Sequence, residues 1–114
     1  MTSDLSENRN VAGPFPAVFT VYRAKLGSEQ RLLTELRQLV CATRLENGCL
    51  VFDLFRVHDR AQESESDTYS LYEVWESPTA KEAHGQAFHA RRFEAVVSQY
   101  LVETPQSLSL VELR

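Results

Sequence analysis

The feature that most restricts this chain is a strand that is apolar on both sides. Cys49 to Val57 reads CLVFDLFRV, with Leu50, Phe52 and Leu54 on one face and Val51, Phe55 and Val57 on the other. Strand side chains alternate between faces, so a sheet wetted on one side should alternate apolar with polar residues. Ala17 to Lys25 (AVFTVYRAK) departs from that rule in the same way, with Val18 and Tyr22 opposite Phe19 and Val21. Both faces of this sheet therefore need a cover.

One cover is helical. Gly27-Ser28 ends the first strand; Ser28 is an N-cap candidate, and Glu29 stands where the helix dipole favours an acid. Leu32, Leu36, Leu39, Val40 and Thr43 recur at spacings of three and four, which predicts an amphipathic helix ending near Asn47-Gly48. After the second strand, His58 to Asp67 is polar and acidic and reads as a loop. Thr68 to Glu76 (TYSLYEVWE) is the third strand, and Ser77-Pro78 pairs an N-cap with proline at the first helical position. A helical segment is expected from there to about Leu101, kinked or broken at Gly85, with an apolar stripe of Phe93, Val96, Val97 and Tyr100. Pro105 ends it, and Ser107 to Leu113 (SLSLVEL) alternates as a last strand. The order β-α-β-β-α-β is the α+β, ferredoxin-like, split-βαβ arrangement, with both helices on one face of an antiparallel sheet. Its second face should meet another sheet about 10 Å away. A homodimer through the sheet face supplies that sheet by a two-fold contact.

The length of 114 residues fits one domain, placed at 15–114 behind a polar, aperiodic and flexible tail at 1–14. A net charge of -4 offers no basic footprint for nucleic acid or an anionic membrane. No apolar run approaches the roughly 20 residues of a spanning helix. The start MTSDLSENRN lacks the basic and apolar regions of a signal peptide, so a cytoplasmic location is expected. Cys41 and Cys49 form no Cys-x-x-Cys pair and are expected to be reduced, inert packing residues, with no metal site.

Four short runs stand in a recognisable order: Arg23-Ala24-Lys25-Leu26-Gly27, Glu46-Asn47-Gly48-Cys49-Leu50, Leu71-Tyr72-Glu73-Val74-Trp75-Glu76-Ser77, and Ala83-His84-Gly85-Gln86-Ala87-Phe88-His89. Together they resemble the antibiotic biosynthesis monooxygenase (ABM) domain family across roughly residues 17–112. Phe88 stands where the family often has a proline, and Ala90 where it often has an aromatic; both bear on substrate identity more than on fold. The resemblance implies a dimeric α+β barrel. It also implies one of several chemistries: cofactor-independent oxidation of polyphenols, anthrones or quinols, haem degradation, conversion of signalling molecules, or none.

Oxygen insertion without a cofactor needs an electron-rich substrate, such as a deprotonated phenol or hydroquinone. The protein must then hold a flat aromatic, take a proton and stabilise the anion. His84 and His89 are the candidate proton acceptors, because imidazole changes charge near working pH. On one unbroken helix their spacing separates them by about 140°, so both reach one pocket only if the helix breaks between them. His58, at the loop's edge, reads as a surface residue. Parity puts Tyr69, Leu71, Glu73 and Trp75 on one face of the third strand, with Glu73 a third catalytic candidate. Trp75, Tyr22, Phe88 and Tyr69 are the candidate substrate contacts, offering rings for stacking and hydroxyls for orientation. Two other readings stand beside the monooxygenase acting with O2 on a small aromatic. One is a non-catalytic ligand-binding or stress-related dimer. The other is a haem-degrading enzyme, whose relatives carry an asparagine near the position of Tyr22.

Overall fold

The computed structural model describes residues 15–58 and 66–113. The expected tail at 1–14 and the middle of the expected loop, 59–65, lie outside the described residues. The elements run β1 (Ala17–Arg23), α1 (Glu29–Thr43), β2 (Cys49–Arg56), β3 (Thr68–Trp75), α2 (Pro78–Gln86), α3 (Phe88–Val97), a 3-10 turn (Ser98–Tyr100) and β4 (Gln106–Leu110). The strands form one sheet in the order β2-β3-β1-β4, with every neighbouring pair antiparallel. This is the ferredoxin-like α+β fold.

The register fixes which side chains share a face. Val18, Thr20 and Tyr22 stand opposite Glu73, Leu71 and Tyr69, and Phe52 stands opposite Glu73. These residues and Trp75 point toward the helices. There they meet Leu32, Leu36, Leu39 and Val40 of α1 and Phe93 and Val97 of α3, which together form the core. Tyr22 and Phe93 pack edge to face at 5.7 Å between ring centroids. The Arg92 guanidinium adds an ion pair to Glu35 at 2.7 Å, tying α3 to α1 across the surface.

The opposite face carries Phe19, Val21, Val51, Phe55, Tyr72, Val74, Leu108 and Leu110, and no described helix lies on it. Phe55 is 49% and Leu108 58% exposed. The doubly apolar sheet read from the sequence is thus present, with its second face uncovered in a single chain.

Several boundaries differ from the sequence reading, each for a local reason. β1 ends at Arg23, although Ala24 still donates its N–H to the Asp67 carbonyl in the register of β3 and forms an isolated bridge with Leu101. α1 ends at Thr43 rather than near Gly48, since Leu45 and Glu46 bond back three residues and tighten the chain into turns. Ser28 occupies the N-cap of α1 without a side-chain bond, and the Glu29 carboxylate accepts from the Gly27 N–H ahead of the helix. Ser77 does cap α2, accepting from the Ala80 N–H at 3.1 Å, with Pro78 inside the first turn. The register of β2 shifts between Cys49 and Val51, so Leu50 is the extra residue of a bulge and is 48% exposed. Cys41 is exposed rather than packed, whereas Cys49 lies against the core.

Gly48 is the position where backbone geometry matters most. Its φ is +85°, and a Cβ built there would lie 2.6 Å from the Ala80 Cβ. Glycine thus lets α2 settle against the turn ahead of β2. Gly48→Ala is expected to destabilise the fold by about 2–4 kcal/mol, from a left-handed backbone penalty and overpacking. A urea unfolding midpoint unchanged from wild type would contradict this.

Candidate functional site

The close approach of Gly48 and Ala80 sets up the site. His84 lies one helical turn beyond Ala80, so seating α2 on that turn carries the imidazole toward Glu46, two residues before Gly48. His84 Nδ1 lies 2.8 Å from Glu46 Oε2. His89 Nε2 approaches the same oxygen at 2.5 Å. The two histidines therefore converge on one carboxylate oxygen, but the helix breaks at Ala87 and not at Gly85, which lies within α2. Ala87 adopts φ -67° and ψ 147° and serves as the N-cap from which α3 restarts. A new axis begins there, and His89 on its first turn faces back toward the end of α2.

His84 is held on three sides. It stacks on the Trp75 indole with centroids 4.8 Å apart and planes 30° from parallel. Phe52 meets its edge at 5.5 Å. Glu46 fixes its tautomer, because a carboxylate only accepts and each imidazole nitrogen facing it must carry a proton. A neutral His84 so held has Nε2 as its basic nitrogen.

A cavity of about 710 Å³ opens beside this cluster, between the sheet and the two later helices. Its apolar walls include Phe52, Leu71 and Phe93, and its polar lining includes His84, Glu73 and Tyr22. Lys81, Arg91 and Glu94 also line it, as do Ser107 and Ser109 from β4. The volume lies within the range of small-molecule sites. Glu73 accepts a hydrogen bond from the Trp75 indole N–H at 2.8 Å, which fixes one carboxylate oxygen. Burial, reinforced by the charges of Glu73 and Glu94, pushes the Tyr22 phenol well above its ordinary value. Tyr22 therefore stays a neutral hydroxyl at working pH, suited to hydrogen bonding and not to proton abstraction.

The remaining candidates fall elsewhere. Trp75 is fully buried and stands behind His84 and Glu73 as a support, with no surface on the cavity. Tyr69 is also buried and donates its hydroxyl to Asp67 at 3.1 Å, away from the cavity. Phe88 is 82% exposed, because the break at Ala87 swings it outward from the face that His84 occupies. His89 touches Glu46 but does not line the cavity.

Glu46 had no assigned role in the sequence, although it opens the Glu46-Asn47-Gly48-Cys49 run. Its partners lie 38 and 43 residues away, and only the folded chain brings them together. The available signal was an acid preceding the tight glycine turn. Burial, followed by the charges of Glu46 and Glu73, raises the Cys49 thiol above its usual value.

Comparison with known proteins agrees with this architecture. The family model described as antibiotic biosynthesis monooxygenase matches residues 17–96. The chain is similar to PA3566 of Pseudomonas aeruginosa, at 27% identity and a TM-score of 0.77 over 90% of this chain and 98% of that one. Rv0793 of Mycobacterium tuberculosis gives 22% identity and a TM-score of 0.76, over 89% and 97% of the two chains. A structure described as an antibiotic biosynthesis monooxygenase gives 21% identity and a TM-score of 0.75, over 87% and 99%. No curated protein matches the chain. None of the described helices is long and apolar enough to cross a membrane.

Proposed function

Because the chain belongs to the antibiotic biosynthesis monooxygenase family, we propose that it is a cofactor-independent monooxygenase that oxidises a quinol, polyphenol or related small aromatic with O2. The observation that carries this reading is the cavity, whose apolar walls meet a fixed imidazole and a fixed carboxylate. A planar aromatic would lie against Phe52, Leu71 and Phe93. His84, through Nε2, would take the proton whose loss makes the ring electron-rich, with Glu73 as the second acceptor on the same wall. Tyr22, neutral and buried, would donate to the developing oxyanion. Trp75 and Glu46 act by positioning: one stacks on His84, the other sets its tautomer.

The reaction balances without a further reductant. In the keto form of the ring, a CH2 conjugated with the carbonyl loses a proton, and the carbanion bonds to O2 to give a hydroperoxide. Loss of the remaining C–H proton with cleavage of the O–O bond then leaves a carbonyl on that carbon and releases one water. The substrate supplies all four electrons needed to reduce O2.

A second copy of the chain belongs to this reading. The uncovered sheet face has no other described element to seal it, and a partner sheet would bury both faces at once. The partner would also stiffen the strands whose opposite side lines the cavity.

The test is oxygen consumption across a panel of reduced naphthoquinols, anthrones and polyphenols. The expected result is uptake of one O2 per substrate with a panel member, reduced at least about tenfold by Glu73→Gln. Failure of every panel member, with the fold and assembly intact, would favour a ligand-binding role on the same scaffold.

A further inference from the structure

We propose that Glu46, His84 and His89 form a binding site for a divalent transition-metal ion of the Zn²⁺ or Co²⁺ type. The three residues come from three elements: the turn after α1, the end of α2 and the start of α3. Their ligating atoms all lie within 4.8 Å of one another. The two imidazole nitrogens that now direct protons at one carboxylate oxygen are the two that would direct lone pairs at a cation. Two imidazoles and one carboxylate are a borderline donor set that suits first-row divalent metals and leaves further positions open.

The adjustment needed is small. Donors about 2.1 Å from a tetrahedral ion stand about 3.4 Å apart. The Glu46 oxygen, at 2.8 and 2.5 Å from the two nitrogens, would retreat by less than about 1 Å, and the two imidazole nitrogens, which lie within 4.8 Å of each other, would settle at that same spacing as the rings turn to the ion. The side chains of Glu46, His84 and His89 are 16%, 14% and 27% exposed, so most of the charge would be shielded while an entry path stays open. The surroundings already supply the outer contacts that hold a ligand in place. Trp75 stacks on His84, and the Trp75 indole is fixed in turn by Glu73.

Such an ion would change His84. With Nδ1 on the metal, the ring proton sits on Nε2, and the nitrogen assigned to proton abstraction is no longer basic. The ion would thus act as an inhibitor of the proposed oxidation. The metal site itself does not depend on that reading, because binding is measured without substrate.

The experiment titrates untagged, chelator-treated full-length protein with Zn²⁺ by calorimetry and with Co²⁺ by visible absorption. The expected result is one ion per chain at micromolar affinity, with cobalt bands of low-coordinate N/O ligation. The unfolding temperature should rise by several degrees at saturating Zn²⁺. His84→Ala and His89→Ala should each weaken binding by more than the roughly 10–100-fold typical of losing an outer contact. Glu46→Gln, which keeps the shape but removes the charge, should weaken it in the same direction. Circular dichroism confirms that each variant is folded, and His58→Ala controls for the remaining histidine. Absence of 1:1 binding by wild type at up to 100-fold excess metal, or binding undiminished in both folded histidine variants, would overturn the proposal.

Discussion

Replacing His84 by alanine is expected to lower kcat for quinol oxidation by about 10²–10⁴-fold, the span typical of a positioned proton acceptor. The substrate would still have Phe52, Leu71 and Phe93 to lie against, so KM should change much less than kcat. His84 is held by the Trp75 stack, the Phe52 edge and the Glu46 bond, and removing it leaves a gap against a fully buried indole. Some stability will be lost with it, so the unfolding midpoint must be measured beside the rate. His84→Gln is the useful companion: it fills more of the space and keeps a hydrogen-bond donor for Glu46, yet supplies no basic nitrogen. If Gln restores the unfolding midpoint but not the rate, proton transfer is the function lost. Glu46→Gln separates positioning from chemistry. Its amide can present a donor to one imidazole, which leaves His84 free to adopt the other tautomer, so kcat should fall less than in His84→Ala. A His84→Ala enzyme that keeps more than about a tenth of wild-type kcat would remove the imidazole from the mechanism. Steady-state oxygen-electrode kinetics in the presence of a chelator decide the matter.

The parts of the molecule that follow from local rules were legible in the chain. Strand parity put Glu73 and Trp75 on one face, and the structure joins them by a hydrogen bond on that face. The Ser77-Pro78 start of α2 obeyed the capping rule to the residue. The leucine stripe of α1 marked the core, and the second apolar face of β2 and β1 was visible before any fold was known. What could not be read is what depends on contacts between distant segments. Gly85 was the natural candidate for a break because glycine is a poor helix former, yet the chain turns at Ala87, which has high intrinsic propensity. Tertiary packing decides there: His84 must stay on Trp75 and Phe52 while His89 reaches Glu46, and a single axis cannot serve both. The bulge at Leu50 carries no glycine to announce it, so alternation alone put Leu50 with Phe52. Phe88 was a candidate substrate contact, and the turn at Ala87, two residues beyond the expected break, sends it to solvent. Glu46 was passed over because an acid in a turn looks like any solvated charge until its partners are known.

The uncovered sheet face leads to the other large effect. Val21 lies on β1, an interior strand, and its neighbours across the ladder are Ser70 of β3 and Gln106 of β4. It is half-buried in the single chain, so an aspartate there can still reach water, and the cost to the isolated fold should stay near the roughly 1 kcal/mol span of strand preferences. In a two-fold dimer the same position is enclosed, and the symmetry brings the substitution in twice. Each carboxylate would lose its hydration without a compensating cation, at a cost of several kcal/mol. Val21→Asp is therefore expected to weaken self-association by about a thousandfold or more and to yield folded monomers at micromolar concentration. Val21→Thr, close in shape and uncharged, should remain a dimer. Sedimentation equilibrium reads the outcome directly, with circular dichroism to show that the monomer is folded. A wild-type chain that sediments as a monomer would leave Phe55 and Leu108 facing water with no reason for their exposure, and would end the paired-sheet account. Activity follows the same logic: β3 presents Tyr72 and Val74 to the uncovered face and Leu71 and Glu73 to the cavity. Loss of the partner should therefore loosen the strand that carries the second proton acceptor, and the Val21→Asp monomer should oxidise quinols more slowly than the dimer.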